Sequence, residues 1–160
     1  MEKDYKFIER TQQIIRQYDK FQLPAKEFYD ITLLLNCCVG LLFVAKEKGK
    51  NAFIDKNKRP LNEWHIDENA IGILKKAKDN KLEDEPKTLF NVCRHLRNSI
   101  AHCYFQTVSK NGVIDELVFR DFLPNKPTVF VNQTFEYTTS VNSFREFLQL
   151  LSNEAVVNNL

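Results

Sequence analysis

The chain has 160 residues, 43% of them hydrophobic, which is enough for one domain with its own core and too little to expect two, so residues 1–160 are taken as a single unit. A net charge of +2 excludes a protein that coats polyanions through bulk charge, so any affinity for nucleic acid must come from local clustering. The opening MEKDYKFIER is charged, with no apolar run or small-residue cleavage site, and the expected location is cytoplasmic.

In chain order, Phe7, Ile8, Thr11, Ile14, Ile15, Tyr18 and Phe21 recur at three- and four-residue steps and predict a helix from Asp4 to Phe21. Pro24 suits a second start, and a helix from Ala25 to Lys48 follows. Its apolar run, Ile31 to Ala45, is shorter than a membrane span and is flanked by charge, so it is expected to be buried within the protein. Residues 49–63 are polar, contain Gly49 and Pro60, and predict a surface loop. A short helix is predicted over Asp67 to Asp79, with Asp67 as its cap and Ile71, Ile73, Leu74 and Ala77 as its stripe, and NKLEDEP reads as a loop.

The period then changes. Tyr104 to Ser109 and Val113 to Phe122 flank Asn111-Gly112, a pair that accepts positive φ at both positions and so predicts a β-hairpin. Thr128 to Val131 and Phe135 to Thr139 predict further short strands, and Ser140 to about Val157 a closing helix that buries Val141, Phe144, Phe147, Leu148 and Leu151. The expected fold is mainly α, a helical bundle with a small antiparallel β-hairpin or sheet before the C-terminal helix. Cys37, Cys38, Cys93 and Cys103 show no C-x2-C spacing, and adjacent Cys37 and Cys38 diverge by ~100° on a helix, so no metal site or disulfide is expected. They read as buried small hydrophobes in a reducing compartment.

The stretch with chemical content is Thr88 to Phe105, TLFNVCRHLRNSIAHCYF, predicted as one amphipathic helix. Leu89, Val92, Cys93, Leu96, Ile100 and Cys103 fall within an arc of roughly 100° and face the core. The other side carries Asn91, Arg94, His95, Arg97, Asn98 and His102 without an Asp or Glu, a face suited to an anion. Within it, Arg97-Asn98-Ser99-Ile100-Ala101-His102 places a His five residues after an Arg. This resembles the HEPN family, small helical proteins that are commonly metal-independent ribonucleases and whose signature is Arg-x4-6-His, often with a polar residue directly after the Arg. Asn98 fills that slot. Arg59 to His65 fits the same spacing, but Pro60 follows the Arg, Glu63 lies inside, and no apolar stripe stands behind it.

The resemblance implies a catalytic set of Arg97, Asn98 and His102, with no cofactor and RNA as the partner. His102 would take the proton of a 2′-hydroxyl attacking its own phosphodiester, and Arg97 would stabilise the charge gathering on phosphorus. Arg94, beside them on the helical wheel, is expected to position phosphate, with His95 as a second candidate at the edge of the polar arc, where a surface or packing role is the stronger expectation. Residues five apart on a helix diverge by ~140°, so Arg97 and His102 of one chain straddle a face. The resemblance implies a homodimer in which two motif helices close a shared cleft. Tyr104, two residues after His102, is similar to the tyrosine of HepT-type HEPN toxins that a partner nucleotidyltransferase adenylylates. The implied role is a toxin or anti-phage defence effector, with a cognate antitoxin or nucleotidyltransferase as further partner; the alternative is a HEPN module that binds RNA, a nucleotide or a protein without catalysis.

Overall fold

The computed structural model of the chain describes residues 9–17, 26–47, 54, 58–79, 81–123 and 132–157. Residues 9–17 form α1, which buries Thr11 and Ile15, and Lys26–Glu47 form α2. As its apolar run predicts, α2 buries Ile31, Leu34, Leu35, Cys38, Leu41 and Leu42 while Thr32 and Asn36 stay exposed. The predicted contributions of Phe7, Tyr18 and Phe21, and the predicted strand at Thr128 to Val131, lie outside the described residues.

The loop predicted over 49–63 is not wholly a surface feature. Leu61–Trp64 forms a 3-10 turn, and Leu61 and Trp64 are almost fully buried. Arg59 stacks over the Trp64 ring at 4.5 Å and pairs with Glu154, while His65, in the left-handed region at φ 57°, pairs with Glu146 at 3.0 Å. The second Arg/His pair of the sequence is thus tied to carboxylates of the last helix.

The largest departure from expectation is the fold class. The protein is mixed α and β, not mainly α: five antiparallel strands, β1 (Ile71–Lys78), β2 (Lys81–Asp84), β3 (Phe105–Lys110), β4 (Val113–Phe122) and β5 (Gln133–Ser140), form one sheet in the order β2-β1-β5-β4-β3. Beyond a 3-10 turn at Glu68–Ala70, capped by Asp67, the helix predicted over Asp67 to Asp79 is strand β1. A β-bulge explains the error. Ile71 pairs with Tyr137, Ile73 with Glu136 and Leu74 with Phe135, so the extra residue turns Ile71 and Leu74 to the same buried face although they are three apart. In sequence that spacing imitates a helix. NKLEDEP holds β2, an edge strand whose residues are largely exposed; its order comes from backbone pairing with β1, and an apolar pattern is therefore missing.

Inward residues alternate along the central strands: Leu117, Phe119 and Asp121 on β4 lie opposite Thr139, Tyr137 and Phe135 on β5. The motif helix α3 (Leu89–Ala101) and the closing helix α4 (Val141–Val157) pack on β4, and α2 packs on both helices. Phe144 of α4 meets Phe119 with ring centroids 5.2 Å apart, and each such buried ring contributes roughly 1.5–3 kcal/mol. The opposite face is half-exposed and polar, with Arg120 bonded to Glu136 at 2.9 Å.

The Asn111-Gly112 hairpin forms as predicted, with both residues at positive φ, 55° and 81°. A Cβ at Gly112 would meet nothing within 4 Å, so Gly112→Ala is expected to cost only the backbone term, about 1–2 kcal/mol. A lower urea midpoint with an unchanged slope checks this, and an unchanged midpoint contradicts it.

Cys37, Cys38 and Cys93 are buried, and burial pushes their thiols up, Cys37 to about 11. They behave as small apolar side chains. Cys103 does not: it is exposed, contrary to its expected place on the core stripe.

Candidate functional site

Helix α3 starts where a side chain can satisfy its first free amides. Thr88 is the cap, its Oγ1 accepting from the Asn91 amide at 3.3 Å, and Asn91 in turn donates to the Pro86 carbonyl at 2.9 Å. Leu89, Val92, Cys93, Leu96 and Ile100 face the core as predicted. The helix ends at Ala101, short of the expected Phe105. Cys103 is in the left-handed region at φ 56°, Tyr104 N–H donates back to the Ser99 carbonyl at 2.7 Å, and the Tyr104 carbonyl accepts from Arg120 N–H at 2.8 Å. Pairing with β4 therefore captures the chain and turns it into the sheet. The same turn moves Cys103 off the apolar stripe.

The polar face contains no acid of its own, but other elements bring two. Glu85, in the segment before α3, and Asp121, on the inner face of β4, have side chains only 4% and 7% exposed. Asp121 Oδ2 accepts from His95 Nδ1 at 2.8 Å and from Asn98 Nδ2 at 3.0 Å, and its Oδ1 accepts from Phe122 N–H at 2.9 Å. His95 Nε2 lies 2.9 Å from Arg94 Nη2 and 3.2 Å from Glu85 Oε2, and Arg94 Nη2 donates to Glu85. Arg97 Nη2 donates to Asn98 Oδ1 at 2.8 Å. The chain of contacts runs from Arg97 through Asn98, Asp121 and His95 to Arg94 and Glu85.

The candidate residues therefore divide. His95 is 3% exposed and stacks flat on Phe135, with ring centroids 5.0 Å and planes 7° apart, and both of its nitrogens are occupied. This position leaves it no room to hold a phosphate and makes it a packing residue, because β4 and β5 cover this edge of the helix. Arg94 is one-third exposed and already tied to a buried carboxylate. Arg97 and Asn98 are half-buried, and His102 is exposed at the helix end. Tyr104 is half-buried, tilted against His102 at 5.8 Å and edge-on to Phe122 at 5.1 Å. At the other end of α3 is an open hollow lined by Lys58, Arg59, Lys87 and Phe90. Lys87 there is committed to the Glu68 carbonyl and Arg59 to Trp64 and Glu154.

A family model described as HEPN pEK499 p136 matches residues 1–159. The chain belongs to this HEPN family. No curated protein and no solved structure matches it. HEPN membership makes the chain a candidate nuclease or RNA-related module, in a family whose domains commonly cleave RNA and typically act as dimers. Among the described residues of this HEPN chain, no helix is long and apolar enough to cross a membrane, and no group of three His, Cys, Asp or Glu could hold a metal ion.

Sequence reading missed Asp121 and Glu85. Asp121 had a signal: in VIDELVFRDF it occupies an inward position after Leu117 and Phe119, and an acid in that alternation needs buried donors. Glu85 had none, because it is one of three acids in LEDE and only the fold selects it.

Proposed function

We propose that the protein is an endoribonuclease in which Arg97, Asn98 and His102 act on an RNA phosphodiester without a metal, as a homodimer with a composite site. The observation that supports this most directly is an exposed imidazole five residues beyond a guanidinium whose Nη2 is already held by Asn98. His102 accepts the 2′-hydroxyl proton, the 2′-oxygen attacks the adjacent phosphorus, the bond to the 5′-oxygen breaks, and that oxygen takes up a proton. Arg97 carries its charge through the step and stabilises the phosphoryl oxygens. The products are a 2′,3′-cyclic phosphate and a 5′-hydroxyl.

Arg94, one-third exposed, adds positive potential beside the phosphate, while His95 supports Arg94 from beneath. A second copy supplies what one chain lacks, since His102 and Arg97 leave the helix about 140° apart. A role as toxin or defence effector, and a cognate antitoxin or nucleotidyltransferase acting at Tyr104, extend this reading by family likeness.

The test is single-stranded RNA with excess EDTA. Cleavage is expected at ribose links, with cyclic phosphate ends seen by mass spectrometry, and none at a single 2′-deoxy link in the same strand. Cutting at the deoxy link overturns the 2′-hydroxyl mechanism. Binding without any cutting moves the protein to the non-catalytic HEPN modules.

A further inference from the structure

We infer that Asp121 is the positioning residue that orders Arg97 of the motif helix through Asn98. The catalytic reading above gives this its functional meaning, but the geometry stands by itself. Asp121 projects from the inner face of β4, directly opposite Phe135, and its carboxylate is nearly sealed from water. A buried carboxylate only accepts hydrogen bonds, so every group facing it must donate. Three do: His95 Nδ1, Asn98 Nδ2 and the Phe122 amide.

This requirement sets the orientation of the residue between Asp121 and Arg97. With its Nδ2 bound to Asp121, Asn98 must turn Oδ1 outward, which is the atom that receives Arg97 Nη2. The flipped amide would point an NH2 at the guanidinium. His95, whose Nδ1 donates to the same carboxylate, is held flat against Phe135, and its Nε2 lies 2.9 Å from Arg94 Nη2 and 3.2 Å from Glu85 Oε2, the carboxylate that holds Arg94 directly. One acid therefore orders a guanidinium group that it does not touch. An arginine on a free helix face samples many rotamers, whereas a held one is in place before the phosphate arrives.

Asp121→Asn tests this with little change of shape. Whichever way the new amide lies, its NH2 faces a donor: the Phe122 amide on one side, or Asn98 on the other. The decisive readout is 15N relaxation of the Arg97 side-chain N–H groups, assigned by their loss in Arg97→Lys. Wild-type Arg97 is expected to be rigid and the folded Asp121→Asn variant to show nanosecond motion there. Equal mobility in the two folded proteins overturns the inference. Should Asp121→Asn fail to fold, Asn98→Ala removes the half-buried bridge alone, and unchanged Arg97 motion in that variant overturns it equally. In the kinetic arm, the variant is expected to lose roughly 10- to 100-fold in kcat with KM within about threefold. Unchanged kcat also counts against the inference. If the wild type cleaves no RNA, the ribonuclease reading fails, while the relaxation comparison still decides the role of Asp121.

Discussion

His102→Ala is expected to slow RNA cleavage by about 10²- to 10⁴-fold and to leave the fold intact. The size follows from the role: without the imidazole, the 2′-hydroxyl must lose its proton to water, and the benefit of a positioned base disappears. The selectivity follows from position. His102 is exposed beyond the last turn of α3, its backbone N–H donates to the Asn98 carbonyl, and alanine keeps that bond. A surface substitution of this kind changes stability by no more than about 0.5 kcal/mol. Single-turnover rates and a thermal melt on the same preparation separate the two effects. An unimpaired rate removes His102 from the mechanism, and the proposed chemistry goes with it.

Arg97→Ala is expected to cost about 10²- to 10³-fold, the usual loss when a preorganised donor to a developing negative charge is removed. Arg97→Lys should recover only part, because a point charge does not reproduce the paired donors of a guanidinium and lacks the planar group that Asn98 holds. This substitution also tests the dimer. If each cleft takes its arginine from one chain and its histidine from the other, a mixed dimer of Arg97→Ala and His102→Ala chains contains one intact pair. Mixing two inactive variants is then expected to restore activity. Failure of re-equilibrated mixtures to recover any shows that each site is built within a single chain.

The motif helix was legible because helical wheels are local. Its apolar stripe from Leu89 to Ile100 is buried as the three- and four-residue spacing requires, and the Asn111-Gly112 turn follows from two residues that tolerate positive φ. Strand β1 was not legible, since a bulge at the start of its pairing with β5 gave Ile71 and Leu74 a helical spacing. Misreading that one segment, together with the exposed edge strand β2, is what turned a five-stranded sheet into an expected small hairpin or sheet beside a helical bundle. The anion-seeking face was read with the same limit. Counting side chains on α3 found no acid, yet Glu85 and Asp121, ten residues before His95 and twenty-six after it, bind Arg94 and His95.

By itself the sequence determined the candidates: an arginine, an asparagine and a histidine at helical spacing, backed by an apolar stripe, in a chain that belongs to the HEPN family. Only the tertiary structure decided how that chemistry is divided. Strand β4 delivers a buried carboxylate to one edge of the polar face, where His95 and Asn98 satisfy it, and leaves Arg97 held and His102 open to solvent. The reason is range: side-chain period and turn preference act between near neighbours, whereas an acid that accepts only hydrogen bonds and is sealed from water finds its donors wherever the folded sheet brings them.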